Sequence, residues 1–159
     1  TRIRAAADEM ALLTETFLLL GRKEEVERPP QQVAPLIRQE LARLAPLLQR
    51  EELDIRLQLD DESEALAPLS LLAIALGNLL KNALSYAEGH IDIELVGPLL
   101  TISNPTAAAP DQILGYGCGL TIIQRICEKL GWQIETRLEE GIFSARLVMI
   151  TNDPAKDKA

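Results

Sequence analysis

A two-layer α/β sandwich, a mixed β-sheet with helices on one face, is the fold class this sequence predicts. Three observations carry that expectation. Several short segments alternate apolar and polar residues with period two, the signature of half-buried strands. Longer stretches repeat their leucines at steps of three and four, as amphipathic helices do. Helices and hairpins follow one another in an order that suits a single covered sheet.

The elements can be justified in turn. Ile3, Ala6, Met10, Leu13, Phe17 and Leu20 step by three and four in alternation, a heptad seam of the kind that pairs with other helices. Gly21 offers a helix stop, and the charged run to Arg28 before Pro29-Pro30 reads as a linker. Ile37, Leu41, Leu44 and Leu48 predict a helix from about Val33 to Arg50, with Pro46 expected to kink it or end its regular part early. Residues 53–60 alternate strictly and predict a strand, and a turn-like acidic segment follows. Pro68 then opens a long apolar helix to about Ala87. Ile91–Leu95, the Gly97-Pro98 turn and Leu99–Ser103 predict a hairpin. After an Ala- and Pro-rich loop at 105–114, a glycine cluster leads into a helix ending near Gly131. Strands over 132–138 and 142–150 flank a turn at Glu140-Gly141, and a polar tail closes the chain.

Composition narrows the class of function. With 47% hydrophobic residues among 159, the chain can bury a core, and with 3% aromatics its aliphatic residues must fill it. A net charge of −8 argues against nucleic-acid or anionic-membrane binding, which need clustered Lys and Arg. No apolar run approaches the roughly 20 residues that span a bilayer. Cys118 and Cys127 match no metal or redox spacing and suit a reducing compartment, so a cytoplasmic location is expected. Thr1 already lies inside a helical pattern, so the chain reads as a piece of something longer.

Two clusters carry chemistry. Asn78, Asn82 and Tyr86 are four apart and share one stripe of the long helix. Asparagine is a poor helix-interior residue, because its carboxamide demands hydrogen-bond partners. Its oxygen can serve as one neutral ligand of Mg²⁺, with water and phosphate oxygens completing the octahedron. Tyr86 could offer its ring to a planar base. The second cluster, Gly115-Tyr116-Gly117-Cys118-Gly119-Leu120, stands directly before a helix. Glycines let the backbone approach an anion, and a helix N-terminus supplies unpaired N–H groups. It is neither a Walker loop nor a dinucleotide fingerprint, since no Gly-Lys-Ser/Thr follows and Leu120 takes the third glycine position.

Asn-Leu-Leu-Lys-Asn-Ala on a helix, a hairpin ending in Ile-Ser-Asn-Pro, and then Gly-Tyr-Gly-Cys-Gly-Leu-Thr-Ile together resemble the Bergerat-fold (GHKL) ATPases. That superfamily includes gyrase, heat-shock chaperones, mismatch-repair ATPases and histidine kinases. The best resemblance is to the catalytic ATP-binding domain of bacterial sensor histidine kinases. Their asparagine box is matched by Asn78, Asn82-Ala83 and Tyr86. Their late glycine box is matched except that Cys118 replaces leucine.

The resemblance implies ATP and Mg²⁺ as cofactors, with Asn82 holding the metal and Asn78 contacting phosphates or metal. Tyr86 would pack on the adenine, while Gly115, Gly117, Gly119 and Leu120 would cradle the phosphates. It also implies a division of the chain. Residues 1–22 would end the helix of a dimerisation and phosphoacceptor domain, with 23–30 as linker, 31–152 as the ATP-binding domain and 153–159 as a flexible tail. The partners implied are the protein's own dimerisation domain, otherwise missing from this chain, and a cognate response regulator. The whole would be a homodimeric inner-membrane sensor kinase, with this domain in the cytoplasm.

Three departures from the family pattern stand in this sequence. Asn104-Pro105 occupies the place of an Asp that accepts a hydrogen bond from the adenine amino group. The segment between the boxes is short, and Ile74 replaces a common acidic residue one turn before Asn78. If Asn104 reads the adenine, restoring a charged acceptor there is expected to tighten binding by up to roughly tenfold. His90, the only histidine, begins a strand and lacks the neighbours of a phosphoacceptor, which places the acceptor upstream of Thr1. Two alternatives stay open. One is a degenerate nucleotide- or partner-binding module without efficient transfer. The other is an anti-sigma-factor-type serine kinase, against which the heptad helix argues.

Overall fold

The computed structural model describes residue 20, residues 27–107 and residues 118–151. Ten elements follow one another: β1 (Pro30–Gln32), α1 (Val33–Arg50), β2 (Asp54–Leu59), β3 (Glu64–Leu66), α2 (Leu69–Tyr86), β4 (His90–Val96), β5 (Leu99–Pro105), α3 (Cys118–Leu130), β6 (Gln133–Glu139) and β7 (Ile142–Val148). Five strands make one sheet in the order β2-β4-β5-β7-β6, with β2 and β4 parallel and the other neighbours antiparallel. The expected mixed sheet is therefore present, and the helices cover one of its faces.

Period-two patterning explains the layering. Ile91, Ile93 and Leu95 of β4, Leu100, Ile102 and Asn104 of β5, and Phe143, Ala145 and Leu147 of β7 point inward and are buried. Their alternates form the open face, where Glu94, Thr101, Arg146 and Glu135 stand side by side across four strands. Against the inner face lie Leu71, Leu72, Leu76, Leu79 and Leu80 of α2 and Ile122, Ile123, Ile126 and Leu130 of α3. Each such side chain taken from water contributes about 1.5–3 kcal/mol before the cost of ordering it. Although α2 is long and apolar enough to cross a membrane, it is the central core helix here, packed on α1, α3 and β5.

The turns obey local chemistry. Glu140 and Gly141 have φ of 52° and 76°, the paired left-handed geometry that matches the twist of a two-residue hairpin. Gly131, at φ 73°, ends α3 where a side chain would be strained.

Two expectations change. Pro46 does not end the helix early, because α1 runs on to Arg50. Pro46 and Ala42 both lie on its exposed side, so water can satisfy the Ala42 carbonyl that proline leaves unbonded. The acidic turn after β2 also holds a strand: β3 pairs antiparallel with β1, Gln31 standing opposite Ala65. The end of the expected linker is thus fastened to the domain. Pro29 accepts a bond from the Ala67 N–H, and Arg28 donates to the Leu130 and Lys129 carbonyls at 3.2 and 3.0 Å. A guanidinium there satisfies carbonyls that the end of α3 leaves over and complements its dipole. Upstream, Leu20 is half-buried against the core, and the rest of the heptad seam lies outside the described residues.

Candidate functional site

α2 forms because Leu and Ala fill it, and its one glycine, Gly77, sits where a side chain of α1 comes close. A side chain at Gly77 would stand 3.3 Å from Glu40 Oε2 of α1. Asn78, Asn82 and Tyr86 share a half-buried stripe beside the core positions Leu79, Leu80 and Ala83. Neither Asn78 nor Asn82 finds a hydrogen-bond partner among the described residues. Two half-buried carboxamides keep their full bonding capacity on the stripe that the sequence singled out.

The end of β5 reaches the end of this helix. The Glu88 N–H, just past α2, donates to the Pro105 carbonyl at 2.9 Å. The same carbonyl accepts from Asn104 Nδ2 at 3.0 Å. One oxygen thus ties the Asn104 side chain to the segment that follows Tyr86. Asn104 is 1% exposed, and its Oδ1 is buried with no partner. Leaving such an acceptor dry costs about 1–3 kcal/mol, so it asks for a donor that the described residues do not supply.

Contacts at its C-terminal end also orient α3. Its last carbonyls meet Arg28, and the neighbouring Pro29 meets Ala67 at the start of α2, so the two helices run antiparallel. Over 13 residues α3 rises about 20 Å. Its N-terminus is at Cys118. Gly119 and Leu120 lie in that first turn, and Leu120 is half-buried against the core. Gly115 and Gly117 lie outside the described residues. The end of β5 with Asn104 thus meets the end of α2, the helix that carries Asn78, Asn82 and Tyr86.

The remaining expectations sort themselves by position. Ile74 is half-buried and packs on the core. His90 does have an acidic neighbour, Asp92 at 3.3 Å, two residues along the same strand face. That face is opposite the one bearing Ile91, Ile93 and the helices, so His90 is turned away from the candidate site. Cys127 is buried and free, and burial followed by the nearby Glu128 charge pushes its thiol up to about 11. Among the described residues no group of three His, Cys, Asp or Glu side chains could hold a metal. A divalent ion at this site would have to bring most of its ligands with it, as phosphate oxygens and water.

Two buried polar groups escaped the sequence reading. The double acceptor at Pro105 is a backbone atom and leaves no mark in residue type. Glu40 did leave one, since it falls on the apolar stripe Val33, Ile37, Leu44, and a glycine in the middle of a leucine-rich helix marked its neighbour.

No protein-family model and no curated protein matches the chain. Solved structures do match. The cytoplasmic segment of the histidine kinase QseC aligns with a TM-score of 0.72 at 21% identity, covering 91% of this chain and 95% of that one. The catalytic domain of the histidine kinase ThkA, in a nucleotide-free form, aligns with a TM-score of 0.69 at 18% identity, over 79% of this chain and 98% of that one. Full-length ShkA in complex with AMPPNP aligns with a TM-score of 0.64 at 19% identity, over 96% of this chain and 39% of that one. The fold is that of histidine kinase catalytic domains.

Proposed function

We propose that this chain is the ATP-binding catalytic domain of a two-component sensor histidine kinase, able to pass the ATP γ-phosphoryl group to a histidine on a dimerisation domain for relay to a response regulator. The unpartnered Asn104 oxygen is the observation that carries the reading. Asn104 holds the sequence position that the resemblance assigns to reading the adenine amino group, and the end of its strand meets the end of the helix bearing Asn78, Asn82 and Tyr86. Among the described residues, two asparagine side chains without partners and no carboxylate cluster suit a metal that arrives with a nucleotide.

In this reading Asn82 supplies one oxygen to Mg²⁺, and Asn78 contacts metal or phosphate. Tyr86 lies against the base, and Gly115, Gly117, Gly119 and Leu120 shape the phosphate end with the N–H groups of α3. The metal ion's contribution is to neutralise charge on the transferring phosphoryl group. The protein's own contribution is placement and dry, fixed dipoles. QseC matches as a cytoplasmic segment over a larger share of this chain than the isolated ThkA catalytic domain does. That difference supports reading residues 1–22 as the end of a dimerisation helix, and the domain as the cytoplasmic part of a membrane sensor.

Ile74, packed on the core where relatives carry an acid, favours one second reading: nucleotide binding without efficient transfer. Calorimetry with AMPPNP and Mg²⁺ tests the first claim. Binding is expected, and Asn82→Ala should weaken it about tenfold or more, chiefly by removing its dependence on Mg²⁺. A chain that ignores AMPPNP at millimolar concentration overturns the nucleotide reading. Labelling of a dimerisation domain from radiolabelled ATP separates kinase from binding module.

A further inference from the structure

Asn104 does more than stand in for a carboxylate. Its Nδ2 donates to the Pro105 carbonyl at 3.0 Å, and that carbonyl is held in place by the Glu88 N–H at 2.9 Å. Turning the carboxamide over would set two acceptor oxygens against each other and leave a buried N–H without a partner. Only one orientation is open, and it leaves Oδ1 buried with no donor among the described residues.

We propose that the Pro105 carbonyl locks Asn104 as a one-way acceptor, so that this site requires a neutral group at position 104. The proposal rests on the nucleotide reading for its ligand, though not for the lock itself. It reverses the simpler expectation that a charged acceptor would bind better. A carboxylate here has acceptors on both sides and no proton to give Pro105, so one of its oxygens would face the carbonyl oxygen at about hydrogen-bond distance. A protonated carboxylic acid has the same pattern as the carboxamide, its O–H donating to Pro105 and its C=O accepting from the ligand. The Asn104→Asp variant should therefore behave as wild type when protonated and as defective when ionised. Burial and the facing carbonyl both raise the pKa of the introduced acid above the usual carboxylate range.

The sign follows from linkage. With its folded pKa raised, the introduced acid leaves stability intact below the unfolded carboxylate pKa of about 4, and stability is lost as pH rises toward the folded value. Titratable groups on the surrounding elements are Tyr86 and Glu88 at the end of α2, His90 and Asp92 on β4, Cys127 on α3, and Glu139 and Glu140 at the β6–β7 turn. All are common to both proteins, so the difference between variant and wild type isolates position 104.

The test measures both proteins in parallel from pH 5 to pH 8. Without nucleotide, the melting temperature of Asn104→Asp should fall away from wild type as pH rises. With Mg-ATP, the variant should bind at least tenfold more weakly at pH 8 and recover toward pH 5. Wild type should prefer Mg-ATP to Mg-ITP, whose 6-oxo group would face Oδ1, by tenfold or more. Tighter ATP binding by Asn104→Asp at pH 8, or a melt that tracks wild type at every pH, overturns the lock. Should wild type bind no ATP, the nucleotide reading fails alone, and the nucleotide-free melts still decide the lock. Should the variant fail to fold at any pH, the ¹⁵N side-chain amide of Asn104 in the wild-type protein decides. Slow hydrogen exchange supports the bond to Pro105, and free exchange refutes it.

Discussion

The contact between α1 and α2 and the outer end of β5 each bury one polar side chain, and they treat it in opposite ways. Glu40 is 9% exposed, lies over Gly77, and has Arg43 at 3.1 Å on its own helix. Asn104 is 1% exposed and keeps an oxygen that none of the described residues satisfies. The first group is complete without any ligand. The second is incomplete without one. Ser63 Oγ and Trp132 Nε1 are also buried without a partner, so neither burial nor an unmet bonding demand alone marks a functional residue; Asn104 stands apart because it ends β5 against the end of α2.

The largest test of that contrast is Asn104→Leu. Leucine fills nearly the same volume with no acceptor, so a bound adenine amino group would be left unpaired. Mg-ATP affinity should drop about tenfold or more. Stability without nucleotide should stay within about 1 kcal/mol, because the lost bond to Pro105 is offset by removing an unsatisfied oxygen. Calorimetry and a urea melt on the same sample check both halves. If stability collapsed while affinity held, the comparison would be broken, and Asn104 would belong with Glu40 as a structural group.

The Glu40 region should respond in the opposite sense. Arg43 is 63% exposed, so removing Glu40 leaves a guanidinium that water can solvate. Glu40→Met should be neutral or stabilise by up to about 1 kcal/mol in a urea melt, since apolar replacement of a buried charge is often tolerated. Nucleotide affinity should not change. A tenfold loss of Mg-ATP binding in this variant would show that the α1–α2 contact is part of the site after all.

A smaller effect concerns Cys127, buried with no assigned task. Its thiol stands at about 11 against an ordinary value of 9.0, so between those values the unfolded chain ionises and the folded one does not. Stability is unaffected below pH 9 and should decline as pH rises from 9 to 11. Denaturant melts of wild type and Cys127→Ala should converge over that window. A constant gap would mean that burial does not hold the thiol neutral.

Much of this was legible in the residues. Period-two alternation located β2, β4, β5, β6 and β7, because one face of each meets the helices and the other meets water. Four-residue spacing identified the Asn78–Asn82–Tyr86 stripe, since helical geometry alone puts those positions together. β1 and β3 were not legible. Each has three residues, too few for a pattern, and they exist because they pair with each other across more than thirty positions of chain. Pro46 misled for a related reason. Proline removes one hydrogen bond wherever it stands, yet its cost depends on whether the orphaned carbonyl meets water, and exposure is a tertiary property.

The sequence by itself determined the class of fold, the helix that carries the asparagines and the glycines that precede α3, because patterning and turn chemistry act within a few residues. Tertiary structure alone decided which way Asn104 faces and what it still lacks. Residue type says only that a carboxamide both donates and accepts. The Pro105 carbonyl uses its donor, the Glu88 N–H fixes that carbonyl, and closure of β5 against the end of α2 leaves the acceptor dry. A hydrogen-bonding demand is local, but whether it is met depends on every element that folds around it.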